Sequence, residues 1–191
     1  MNIKNIIIGI VGILLVGGIV FFSSGSDLFQ GRMFKNRPQS ELITSTPGKK
    51  QVNVTLDSSS PSGNRSVASQ DKIAVYKICA GKEDITTIEG MDLTFTSGSS
   101  KPIKYPFDVV VEETYGNKSF ASAEKNTVSV TLKNASPIKA GECTSYSVMA
   151  NTVSMDISNP GVDDPLTVTL RRITPNIEIT SGPVISNTLL Y

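Results

Sequence analysis

Two hydrophobic patterns divide the chain. From Ile6 to Phe22 it reads IIIGIVGILLVGGIVFF, with no charged or polar side chain. From Lys72 onward, apolar residues recur at every second position, the mark of strands with one buried face. The first block predicts a membrane-crossing helix. At about 1.5 Å per residue it is roughly 25 Å long, close to a hydrocarbon core of about 30 Å. A buried helix of a globular domain would normally show a polar face, and this block has none. Residues 6–22 are therefore expected to form a signal anchor in contact with membrane lipid, after a short tail over 1–5. A cleaved signal peptide competes with that reading: Ser23 and Gly25 are small, although no A-x-A pattern appears.

The flanking charges bear on orientation. Lys4 lies before the apolar block, and a basic cluster of Arg32, Lys35 and Arg37 follows it. Taken literally, the positive-inside rule favours a cytoplasmic C-terminal part. Residues 23 to 31 carry no basic side chain, however, so Lys4 is the charge nearest the membrane. The five-residue tail also suits an ordinary signal anchor. The expectation is a single-pass protein with its domain on the extracytoplasmic side.

Residues 23–71 contain SSGS, STPGKK and DSSSPSGNRS, clusters that read as a flexible Ser/Pro/Gly-rich linker. Within it, QVNVTL over 51–56 alternates Val52, Val54 and Leu56 with polar residues. It reads equally as a first strand or as a short apolar patch in a tether.

The remainder, 72–191, is expected to be all-β. Met91, Leu93 and Phe95 alternate with polar residues, as do Val128, Val130 and Leu132. So do Val153, Met155 and Ile157, and Leu166, Val168 and Leu170. Phe107, Val109 and Val111, and Tyr146, Val148 and Ala150, give two more runs. Ile73 to Cys79 is apolar at neighbouring positions, as in a central strand. Ile177 and Ile179 begin a closing strand or hairpin, with Ser181-Gly182-Pro183 as a turn. Further turn signals fall at Ala80-Gly81, Tyr115-Gly116-Asn117, Ala140-Gly141 and Asn159-Pro160-Gly161. This spacing predicts an antiparallel sandwich of seven to nine strands, because each sheet needs a second one to cover its apolar face.

IAVYKICAGKEDITTIEGMDLTF and SPIKAGECTSYSVMA resemble segments of immunoglobulin-like domains in bacterial membrane-anchored surface proteins. The likeness spans about residues 72–172. It implies an immunoglobulin-like sandwich with an adhesive, spacer or assembly role, and brings no catalytic residue with it.

Cys79 ends one predicted strand and Cys143 begins another. If those strands are antiparallel neighbours, the two thiols meet, and outside the cytoplasm they would form a disulfide. Cys143, however, is in phase with Ser145 and Ser147 rather than with Tyr146 and Val148. A bulge or a cross-edge bond would reconcile the two, and a pair of unpaired buried thiols is the alternative.

Composition narrows the chemistry. The 191 residues include no His and no Trp, two Cys and a net charge of +1. Imidazole-based catalysis is excluded, and two thiols cannot build a four-thiolate zinc site. Seven basic and four acidic residues over 23–72 (net +3), against ten and thirteen over 73–191 (net −3), place the positive charge beside the membrane. No basic patch interleaved with aromatics points to nucleic acid. The acidic pairs Glu83-Asp84, Glu112-Glu113 and Asp163-Asp164 lack the D-x-D-x-D-G spacing of a calcium loop and read as solvated charge, with no metal and no cofactor expected. Asn53, Asn64, Asn117 and Asn134 head glycosylation sequons.

The expected function is a structural, adhesive or protein-interaction module of the cell envelope, not an enzyme, whose partner is an envelope protein or a polysaccharide. Two alternatives stand beside it. One is a filament or surface-layer subunit, against which Ile6 to Phe22 lacks the Glu of a type IV pilin. The other is a glycan-processing enzyme working through carboxylates, for which Glu83, Asp163 and Asp164 would have to converge.

Overall fold

The computed structural model describes residues 49–98, 102–157 and 164–191. The predicted membrane helix over 6–22, the basic cluster Arg32, Lys35 and Arg37, and the Asn159-Pro160-Gly161 turn lie outside them. Among the described residues, no helix is long and apolar enough to cross a membrane.

The described part is all-β apart from one helical turn. Its strands are β1 (Lys50–Leu56), β2 (Gly63–Asn64), β3 (Asp71–Ala80), β4 (Gly90–Ser97), β5 (Phe107–Glu113) and β6 (Lys118–Ala123). They continue with β7 (Thr127–Thr131), β8 (Cys143–Ala150), β9 (Pro165–Thr174), β10 (Ile177–Ile179), β11 (Val184–Ile185) and β12 (Leu189–Leu190). The helical turn, α1 (Thr152–Met155), follows β8. Twelve strands exceed the seven to nine expected over 72–191: β1 and β2 precede Lys72, and β6, β11 and β12 carry too little alternation to reveal them.

Hydrogen bonding connects the strands in the order β2-β12-β9-β10-β1-β3-β8-β5-β6, with β4 joined to β9 and β7, and β11 to β9. Most pairs are antiparallel; β1 with β10 and β12 with β2 are parallel. The arm carrying β3, β8 and β5 faces the arm carrying β4 and β9 across a shared core. Tyr76 on β3 donates its hydroxyl to the Val168 carbonyl on β9 at 2.7 Å, although the two strands are not paired. Phe95 on β4 meets Phe107 on β5 edge to face, with ring centroids 5.1 Å apart.

The period-two reading places the core correctly. Met91, Leu93, Phe95, Phe107, Val109, Val111, Val128, Val130, Tyr146, Val148, Leu166, Val168 and Leu170 are all buried in one apolar cluster. β3 is central, between β1 and β8, and its Ile73, Ala74, Val75 and Tyr76 are all buried. A register shift between Lys72 and Ala74 turns successive side chains away from strict alternation there.

Two expectations need correction. The segment expected to be linker up to residue 71 enters the sheet at Lys50. β1 pairs antiparallel with β3 (Val52 opposite Ala80) and parallel with β10 (Lys50 opposite Ile177), so it lies inside the sheet rather than at an edge. Val52 and Val54 are fully buried, which is the apolar gain that offsets the ordering entropy of this stretch. The domain therefore begins before Lys72. Val153, Met155 and Ile157 do not form a strand. The Asn151 side chain caps α1 by accepting from the Ser154 N–H at 3.0 Å, and Asp156 ends it in the left-handed conformation. Thr152 and Met155, three apart, share the buried side, and Val153 points out at 56% exposure.

Candidate interaction site

The outer face of β8, β5 and β6 carries a groove. Registration across these strands sets Met149 opposite Val110, and Val110 opposite Phe120. All three side chains point away from the core, since their neighbours Val109, Val111, Val148 and Ala150 fill it. Val110 and Met149 form an apolar floor, only 5% and 8% exposed although none of the described strands lies over them. Phe120 on β6 stands beside that floor at 67% exposure. Ser69 and Gln70, which precede β3, form the opposite wall, and Asp108 and Ser122, paired in register, close one end. The groove encloses about 370 Å³, the size of a small ligand pocket or a socket for one or two side chains.

Charge is sparse around it. Glu112 and Lys118, opposite each other on β5 and β6, form an ion pair at 3.4 Å at one end. Ser122 donates to Glu124 at 3.2 Å at the other. The site offers shape, an apolar floor and one acceptor carboxylate at Asp108. It presents no nucleophile activated by a neighbouring base. That chemistry suits the capture of an apolar side chain.

The sequence-predicted residues lie elsewhere. Cys79 and Cys143 are opposite each other in the β3–β8 ladder and are joined as a disulfide, with Cα atoms 4.0 Å apart. The phase conflict dissolves because the bond lies on the outer face, in line with Lys77, Ser145 and Ser147, where Cys143 is exposed and Cys79 half-buried. No bulge is needed at this position; β3 reaches the outer face there in the same phase as β8.

The acidic pairs separate. Glu83 and Asp84 are exposed, and Asp84 accepts the Ala140 N–H at 2.8 Å. Glu112 takes part in the ion pair with Lys118. Glu113 is buried and accepts from Asn117 at 2.9 Å and from the Ser136 N–H at 3.0 Å. The Tyr146 hydroxyl nearby is buried with no partner in normal hydrogen-bond geometry. Burial first, and then the Glu113 charge, push its pKa up. Asp164 is buried and its backbone pairs with that of Tyr191, while Asp163 lies outside the described residues. Among the described residues, no three His, Cys, Asp or Glu side chains gather to hold a metal.

A second polar knot was invisible in the sequence. Asp71, 4% exposed, accepts hydrogen bonds from the Tyr191 hydroxyl and from the Arg65 guanidinium. Burial and this carboxylate raise the Tyr191 phenol, and hydrogen bonding to Asp71 raises Arg65. Paired with its cation and its phenol, the carboxylate is satisfied, so the knot reads as a clasp for β12 and not as a reaction centre.

The sequons also divide. Asn53 and Asn64 are exposed. The Asn117 amide is committed to Glu113 and to the Asn134 carbonyl, and the Ser136 hydroxyl of the Asn134 sequon donates to Glu113. Those two acceptor motifs serve the fold instead.

Sequence reasoning missed Phe120 because KSFASA carries one large apolar residue among small ones. The available signal was that single aromatic in phase with Ser122, between turn residues Gly116 and Asn126. No protein-family model matches the chain, and none of the curated proteins compared with it matches either.

Proposed function

We propose that the chain is a membrane-tethered, immunoglobulin-like β-sandwich on the extracytoplasmic side of the cell envelope, serving as a protein-interaction module. The observation that carries this reading is the groove on β8, β5 and β6, with its buried floor of Val110 and Met149 beside the exposed Phe120. An exposed aromatic next to an apolar socket is the usual form of an interface anchor. The disulfide supports the location, because such bonds persist in oxidising compartments. The two facing arms of the sheet support the sandwich, and the apolar block over 6–22 supports the tether.

The test places a photoreactive amino acid at Ser122, on the groove rim, in the full-length chain in its own cells. Protein adducts should form there and be absent for the same group at Thr131, an exposed position on β7. If neither position gives a protein adduct, the interaction reading fails. Protease added to spheroplasts should cleave the domain; full protection would move it to the cytoplasm.

A further inference from the structure

We infer that the partner in this groove is a second copy of the same chain, docked about a two-fold axis that passes beside Ala121. This rests on the interaction reading above and names the partner for it.

The first ground is that knob and socket lie together on one face. Phe120 stands 67% exposed at the margin of the groove floored by Val110 and Met149. In an isologous interface the same patch meets itself, so whatever residue i gives to j is returned by j to i. A protruding side chain next to a socket is the simplest patch that can satisfy this condition, because one rotation brings each knob to the margin of the other groove.

The second ground is charge along β6. The strand and the bend after it run Lys118, Phe120, Ser122, Glu124 on the exposed side. A two-fold axis beside Ala121 lays β6 antiparallel over its copy. Lys118 then faces Glu124 of the second copy, and the reverse contact forms at the other end. The same operation sets Phe120 over Ser122 of the second copy, beside the end of its groove that Ser122 and Asp108 close. A parallel overlay would instead oppose lysine to lysine and glutamate to glutamate. Charge therefore selects the arrangement that also brings each aromatic ring to the end of the other groove.

The third ground is that face-to-face docking asks nothing of the strand edges. β6 bonds in the ladder only to β5, but its far side is approached by the segment after β7, where the Lys133 N–H donates to the Ser119 hydroxyl at 2.8 Å. The outer face is open where that edge is shielded.

The experiment is sedimentation equilibrium of the full-length chain in density-matched detergent micelles, so that the apolar N-terminal block is present in every variant. The wild type should dimerise. Phe120→Ser, at a position too exposed to disturb the core, should weaken the dimer by roughly 30-fold or more, as loss of an aromatic anchor does. Lys118→Glu and Glu124→Lys should each weaken self-association several-fold, since each creates two like-charge contacts. Mixing those two variants should restore a heterodimer, because both contacts are then between unlike charges; a folding defect would not be repaired by mixing.

A monomeric wild type, a dimer indifferent to Phe120→Ser, or a mixture no stronger than its parts would overturn the inference. The photo-adduct at Ser122 separates the two levels of the argument. An adduct at twice the chain mass supports the second copy. An adduct with a different protein overturns the second copy and keeps the interaction reading. No adduct removes both.

Discussion

Replacing Cys79 and Cys143 together by Ser isolates the effect of the disulfide. The bond closes a loop of sequence separation 64, which contains β4 to β7. In the chain-entropy model a loop of that length restricts the unfolded state by about 4 kcal/mol at 25 °C. The native state should lose little else. Both residues sit on the outer face, so no core cavity opens, and the ladder around them is held by its own hydrogen bonds, including Ala80 N–H to the Glu142 carbonyl at 3.0 Å. The stability loss should therefore approach the loop term. With a urea dependence of about 2 kcal/mol per molar, the midpoint should fall by roughly 2 M. Urea titration of the full-length chain in micelles, followed by far-ultraviolet circular dichroism, measures this. The folded spectra of variant and wild type should coincide. A fall under about 1 kcal/mol would refute the entropic account, because it would mean that the reduced unfolded chain is already as restricted as the oxidised one. Loss of the folded spectrum would refute it in the other direction, by showing that the bond and not the ladder holds β3 against β8.

Gly90→Ala should destabilise the domain by about 1–3 kcal/mol, read as a lower urea midpoint, because a Cβ there would stand 2.8 Å from the Val130 carbonyl oxygen, which is backbone and cannot turn aside. Tyr191→Phe removes one of the two donors to the buried Asp71 and should cost about 1–3 kcal/mol by the same measurement, with no loss if the carboxylate is instead satisfied by solvent. Burial raises the phenols of Tyr76, Tyr146 and Tyr191 above their unfolded pKa of 10.0, so the folded state keeps protons that the unfolded state releases. Their stabilisation is complete below that pH and is lost as pH rises past it, at up to about 1.4 kcal/mol per pH unit for each; phenolate absorbance should accordingly appear together with unfolding, and a separate early rise from these residues would contradict their burial. Asp57 behaves oppositely: the Ser59 N–H, the Ser59 hydroxyl and the Ser145 hydroxyl depress its pKa, so its contribution is present above the unfolded value and fades as pH falls through the folded one, and Asp57→Asn should flatten that acid limb.

Strand class and the inward residues were legible in the sequence. Alternation is local: a side chain two positions away shares a face whatever the rest of the fold does, so Leu93, Val130, Val148 and Val168 could be assigned to the core from their neighbours alone. It also placed Cys79 and Cys143 at strand ends. What it left open was which strands are neighbours and in what register, because those are contacts between residues far apart in the chain. The β3–β8 register sets the two cysteines opposite each other on the outer face, and the β8–β5–β6 register aligns Met149, Val110 and Phe120 into a groove. Neither could be read from a period that repeats identically in every strand. Alternation failed at Val153 and Met155 because the Asn151 cap and the burial of Thr152 and Met155 together outweighed a pattern that three residues could only suggest. It left β1 undecided because Val52 and Val54 acquire a core only once β3 and β10 have come to either side of them. Tertiary pairing decided both, since burial is a property of the neighbours a residue finds and not of the residue alone.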